Sequence, residues 1–82
     1  MEVETLKQLL ESRLSGCTVE VEGDGRHFNL LVVGEAFEGL SAVKRQQLVY
    51  GAINEEIASG DVHAVNMRTF STQEWQAQNA NE

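Results

Sequence analysis

The chain has no proline and only one cysteine, Cys17, in 82 residues. A lone thiol forms no internal disulfide, so the fold must stand on its apolar core. A free cysteine also suits a reducing compartment. Positive charge is scarce: six Lys and Arg face thirteen Asp and Glu, a formal charge of −7. A field of that sign repels polyanions on average. It argues against tight non-specific nucleic-acid binding and leaves room for a local basic patch. No apolar run approaches the length of a membrane span, and no basic-then-apolar leader opens the sequence. The expectation is a cytoplasmic protein without membrane attachment. Catalytic signatures are missing too: no Ser-His-Asp set, Cys-x-x-Cys pair, phosphate loop or His-Glu-x-x-His run. A non-enzymatic role follows as the expectation.

Apolar residues make up 41% of the chain, enough to give one small domain a core. Val3, Leu6, Leu9, Leu10 and Leu14 recur at helical spacing, predicting a helix over 3–15 that stops at Gly16. From Thr18 to Glu22 apolar and polar residues alternate, the pattern of a half-buried strand. Gly23-Asp24-Gly25 signals a turn. His27 to Val33 is nearly all apolar and predicts a strand covered on both faces, paired antiparallel with the first. Ser41 is placed as an N-cap. Leu40, Val43, Leu48, Val49, Ala52, Ile53 and Ile57 then form a stripe predicting one helix of about four turns, ended by Ser59-Gly60. A third strand is expected over Val62–Phe70. Ser71-Thr72-Gln73-Glu74 reads as a capping box opening a short helix that carries Trp75.

The order helix, strand, strand, helix, strand, helix predicts an α+β domain with a three-stranded mixed sheet. The right-handed crossover puts the third strand parallel to the second. One domain is expected over 1–76, with a frayed polar tail over 77–82.

That topology has a chemical consequence. His27 opens the second strand and His63 the third. Parallel neighbours bring those two starts to one rim of the sheet, where both imidazoles can face a common partner. Neutral imidazole is a good ligand for iron, copper or zinc. Two ligands leave such a site incomplete, and two ordinary exposed or capping histidines would look the same in sequence. Cys17 reads as a small buried hydrophobe. Lys44, Arg45 and Arg26 supply a local positive patch able to touch phosphates, with a solvated helix face as the plainer reading.

Taken in order, several segments resemble the BolA family, and its IbaG branch most of all. They are His27-Phe28-Asn29-Leu30, Val32-Val33, Phe37-Glu38-Gly39-Leu40-Ser41, Val43-Lys44-Arg45-Gln46-Gln47-Leu48-Val49-Tyr50, Glu55-Glu56-Ile57, Val62-His63-Ala64 and Thr72-x-Glu74-Trp75. The resemblance implies a fold similar to the type II KH domain. It implies a monothiol, CGFS-type glutaredoxin as partner and a [2Fe–2S] cluster shared with that glutaredoxin and glutathione. His63 stands at the family's ligand position and His27 at the second, in the loop between the first two strands; Cys17 lies outside that loop. Histidine in place of thiolate raises the potential of the iron it binds. Because imidazole must be neutral to bind, acid should weaken the site. The resemblance also implies a part in acid and other stress responses. Its alternative is a KH-like DNA-binding regulator using Lys44, Arg45 and Arg26, although Gln46 and Gln47 replace basic residues common in the family and the KH Gly-x-x-Gly loop is missing. The strand ends together with the Lys44-Arg45 helix are expected to form the docking surface. A homodimer stays open.

Overall fold

The computed structural model describes residues 1–79. Helix α1 spans Val3–Arg13, and strands β1 (Cys17–Gly23) and β2 (His27–Gly34) follow. A 3-10 turn at Glu35–Phe37 leads to α2 (Ala42–Ala52) and α3 (Asn54–Ser59). Strand β3 (Ala64–Phe70) and helix α4 (Thr72–Asn79) complete the chain. The sheet order is β1-β2-β3, with β1 antiparallel and β3 parallel to β2. This is the expected α+β architecture.

The alternation of β1 and β2 decides which face is buried. Val19 pairs with Val32, Val21 with Leu30 and Gly23 with Phe28. Phe28, Leu30 and Val32 meet Leu6 and Leu10 of α1, and Phe37, Val49 and Ile53 join the same cluster. Each fully buried Phe or Leu contributes about 1.5–3 kcal/mol of transfer free energy. Gly34 is required where β1 starts: a Cβ there would lie 2.5 Å from the Cys17 sulfur and 2.6 Å from the Gly16 carbonyl oxygen.

Three expectations need correction. Strand β2 is covered on one face only. Phe28, Leu30 and Val32 are buried, Leu31 and Val33 are half-buried, and Asn29 is exposed. An apolar run therefore overstated the coverage. The single long helix is two, broken at Ile53, whose φ is −122° and ψ 23°. Its amide donates to Tyr50, one residue short of the α-helical partner. Gly51 weakens the helix just before this point. The break drives the Ile53 side chain fully into the core, while Val43, Leu48 and Ile57 of the expected stripe stay exposed. Lastly, His63 precedes β3 instead of lying within a strand from Val62.

The C-terminal capping box forms as read. The Ser71 amide donates to Glu74 Oε1 at 2.7 Å, and the Glu74 amide donates to Ser71 Oγ at 3.1 Å. The helix it opens continues through 77–79, where a frayed tail was expected; the rest of that tail, 80–82, lies outside the described residues. No helix among the described residues is long and apolar enough to cross a membrane.

Candidate metal centre

Asp24 is the residue that builds the hairpin end. Its carboxylate accepts the amides of His27 at 2.8 Å and Arg26 at 3.0 Å, and its own amide donates to the His27 carbonyl. These bonds, those of His27 and Arg26 foremost, hold the Asp24 carboxyl down at about 2. The turn delivers His27 at the first position of β2. Alternation then puts its side chain on the sheet face opposite the core, with Asn29 and Leu31.

A second backbone contact brings the other histidine alongside. The Arg26 carbonyl accepts both the His63 amide at 3.0 Å and the Ala64 amide at 3.1 Å. Gly60, at φ +87°, ends α3 in the left-handed conformation and lets the chain turn back; the Val62 amide returns to the Glu56 carbonyl. His63 is thereby fixed at the start of β3, beside His27.

The two rings lie edge to face, with centroids 5.4 Å apart and an interplanar angle of 86°. Both residues are exposed. Two imidazoles on one tetrahedral ion, with metal–nitrogen bonds of about 2.0 Å, hold their ring centres about 5 Å apart. The observed spacing thus fits two nitrogen donors on one metal. His27 Nδ1 is 3.5 Å from Asp24 Oδ2, a loose contact between exposed groups that leaves the ring accessible. Among the described residues no cluster of three His, Cys, Asp or Glu side chains is arranged to hold an ion. Within the described residues the pair offers two imidazoles and no third side chain of these types placed to bind the same ion.

Cys17 cannot complete it. It pairs with Gly34 at the other end of the sheet. It is buried, and burial pushes its thiol pKa up, away from the thiolate that binds metal.

Lys44 and Arg45 are also at that other end, which corrects the expected docking surface. Strand β2 leaves the histidines and runs to Gly34, and α2 starts only after the turn there. Arg45 is committed internally. Its guanidinium donates to Glu74 Oε1 at 2.6 Å and Oε2 at 3.3 Å, its Nε donates to the Leu40 carbonyl, and it lies over the Phe37 ring. That contact, first, and the Ser71 amide hold the Glu74 carboxyl at about 2. Arg26 sits at the histidine end, apart from Lys44 and Arg45. The roles of Asp24 and of the Arg45–Glu74 pair were missed in sequence. An Asp three residues before a strand-opening His is a readable turn signal. The Arg45–Glu74 pair spans 29 positions and leaves no local trace.

Residues 3–74 match the family described as BolA-like protein. The chain is 44% identical over 75 residues to the acid stress protein IbaG of Escherichia coli (strain K12), covering 92% of this chain and 89% of that protein. It is 42% identical over 57 residues to the DNA-binding transcriptional regulator BolA of Vibrio cholerae, covering 70% of this chain and 53% of the regulator. Among solved structures, the bolA protein homologue from Coxiella burnetii superposes with a TM-score of 0.85 at 36% identity, covering 93% of this chain and 97% of the homologue.

Proposed function

The chain belongs to the BolA family, and on that premise we propose that it is a non-enzymatic adaptor. It binds a monothiol glutaredoxin and shares a [2Fe–2S] cluster with that partner and glutathione, in iron–sulfur trafficking. The observation that carries this reading is the pair of exposed imidazoles 5.4 Å apart at one sheet rim, with no third His, Cys, Asp or Glu placed to bind with them among the described residues. In this reading His63 is the principal iron ligand and His27 the second. The cluster, when held, supplies iron and sulfide for transfer and a one-electron redox couple. The chain's own residues supply position. The Arg26 carbonyl fixes the His63 backbone, and Asp24 orders the turn that presents His27.

The similarity to an acid stress protein fits this chemistry. Protonating an imidazole removes the lone pair that binds iron, so acid weakens a histidine-ligated cluster more readily than one held by thiolates alone. Mixing the protein with cluster-loaded glutaredoxin is expected to change the visible circular dichroism of the cluster. His63→Ala is expected to abolish most of that change. An identical spectral change with the variant refutes the ligand assignment.

A second reading, a DNA-binding regulator, is favoured by the name of the Vibrio relative. In it Lys44 and Arg26 would contact phosphates, but the Arg45 guanidinium is already held by Glu74. Labelled DNA titrated at two salt concentrations separates the readings, since phosphate-dominated binding weakens steeply with salt. Micromolar binding lost in the Lys44→Ala, Arg26→Ala double variant would put the regulator ahead of the adaptor.

A further inference from the structure

Helix α3 has six residues, and none of its side chains is buried. A helix that short is not stable by itself. Ile53 before it and Val62 after it are in the core, so the segment between is held at its two ends. Among the described residues, the hydrogen bond from Arg13 is what ties an α3 side chain to another helix. Arg13 is the last residue of α1. Its Nη1 donates to Glu56 Oε1 at 2.6 Å and to the carbonyl of Ala52, the last residue of α2, at 2.8 Å. One guanidinium nitrogen thus spans the break at Ile53. Exposed ion pairs usually contribute little. This one is sheltered: the Glu56 side chain is 13% exposed and that of Arg13 36%.

Glu56 is also where the turn that delivers His63 is fastened. Its carbonyl oxygen accepts the Ser59 hydroxyl and the Val62 amide, both at 3.1 Å. The Ser59 hydroxyl in turn accepts the Asp61 amide at 3.3 Å. These three bonds close the turn at Gly60 onto one residue of α3. His63 is the first residue beyond that turn, and its amide reaches the Arg26 carbonyl. A shift of α3 moves the Glu56 carbonyl, and the turn that hangs from it moves too. His27 has no such dependence, because Asp24 sets its place from within the hairpin.

We propose that Arg13 is a positioning residue for the histidine pair, a role that rests on the reading of His63 as a ligand: through Glu56 it sets where His63 stands relative to His27. Arg13 itself makes no hydrogen bond to either histidine, and a guanidinium has no lone pair to offer an ion. Its effect is on spacing. Two imidazoles hold one metal tightly when their separation is fixed before the metal arrives, and groups outside the ligand set supply that fixity. One ligand of the pair is set locally by Asp24. The other is set by α1, through a contact that joins residues 43 positions apart.

The test is NMR on the isotope-labelled full chain, with neither metal nor glutaredoxin present. In Arg13→Gln the Val62 and His63 amides are expected to exchange about tenfold faster, while the Val32 amide of the central strand keeps its rate. The nuclear Overhauser contact between the His27 and His63 rings is expected to lose most of its intensity. Arg13→Lys, which keeps a cation for Glu56, is expected to restore most of that contact. Glu56→Gln removes the same tie from the α3 side, and the double variant is expected to add little to either single one. Val62 and His63 exchanging as in the unaltered chain, or a ring-to-ring contact that survives in both single variants, would overturn the proposal. So would equal acceleration at Val32, which marks general loosening of the fold. Exchange and ring contact are read without a cluster, so their outcome is separate from that of His63→Ala in the dichroism experiment, which tests the ligand reading.

Discussion

At the Cys17–Gly34 end of the sheet, Arg45, Glu74 and Ser71 satisfy one another and lock α4 against α2. At the hairpin end, His27 and His63 face solvent with their rings 5.4 Å apart and only a loose carboxylate contact. Both ends carry polar and ionisable side chains, and both join segments distant in sequence: the Arg45–Glu74 side chains at one end and the His63 amide on the Arg26 carbonyl at the other. The difference lies in whether the side chains find their partners within the chain. Where they do, the group supports the fold. Where they do not, the group is available to another molecule. Residue type alone does not make that distinction: of the two arginines that sequence reading assigned to phosphate binding, Arg45 is tied down by Glu74.

The sharpest way to break this contrast is to damage the locked end by itself. Gly34→Ala forces a Cβ against the Cys17 sulfur and the Gly16 backbone. It is expected to cost about 1–3 kcal/mol in urea unfolding, the range for overpacking a tight site. Stability equal to that of the unaltered protein would mean the approach of β1 to β2 relaxes freely. Ser71→Ala removes an N-cap oxygen and is expected to cost about 1 kcal/mol, lowering the melting temperature by roughly 4–8 °C. Its dichroism response to cluster-loaded glutaredoxin should be unchanged, because the histidines lie at the other end. A loss of that response would couple the two ends and blur the comparison.

The smallest effect concerns acid. The Glu74 carboxyl is lowered from 4.5 to about 2 and that of Asp24 from 3.8 to about 2. Both are lowered in the folded protein, so each adds stability that is complete above the ordinary carboxylate range and is lost as pH falls toward about 2. Both groups are exposed, so the contributions are modest. Glu74→Gln and Asp24→Asn should each flatten the acid limb of a stability–pH curve. A limb as steep as that of the unaltered protein would show that the carboxyl in question does not act through its hydrogen bonds.

Much of the fold was legible because its signals are local. Alternation in β1, the Gly-Asp-Gly turn and the Ser71–Glu74 capping box each fit within a few residues and formed as read. The stripe from Leu40 to Ile57 misled because periodicity reports a helix without reporting its continuity; only packing shows that Ile53 turns inward and Val43 outward. Likewise the apolar run in β2 could not say that the second sheet face is open. At the site, parallel topology was enough to infer that His27 and His63 share a rim. The carbonyl that joins them, Arg26, and the lock on Arg45 depend on contacts between residues far apart in sequence, which no spacing rule encodes.

Iron and acid-labile sulfide should be counted after anaerobic co-purification with a monothiol glutaredoxin, for the unaltered chain and for the His27→Ala, His63→Ala double variant. If one rim of the sheet completes a site begun by another molecule, the unaltered complex carries iron and sulfide in equal amounts. The double variant then keeps its fold and loses the visible signature of histidine ligation. An unaltered complex without metal, or a variant complex with the same content and spectrum, would contradict the account.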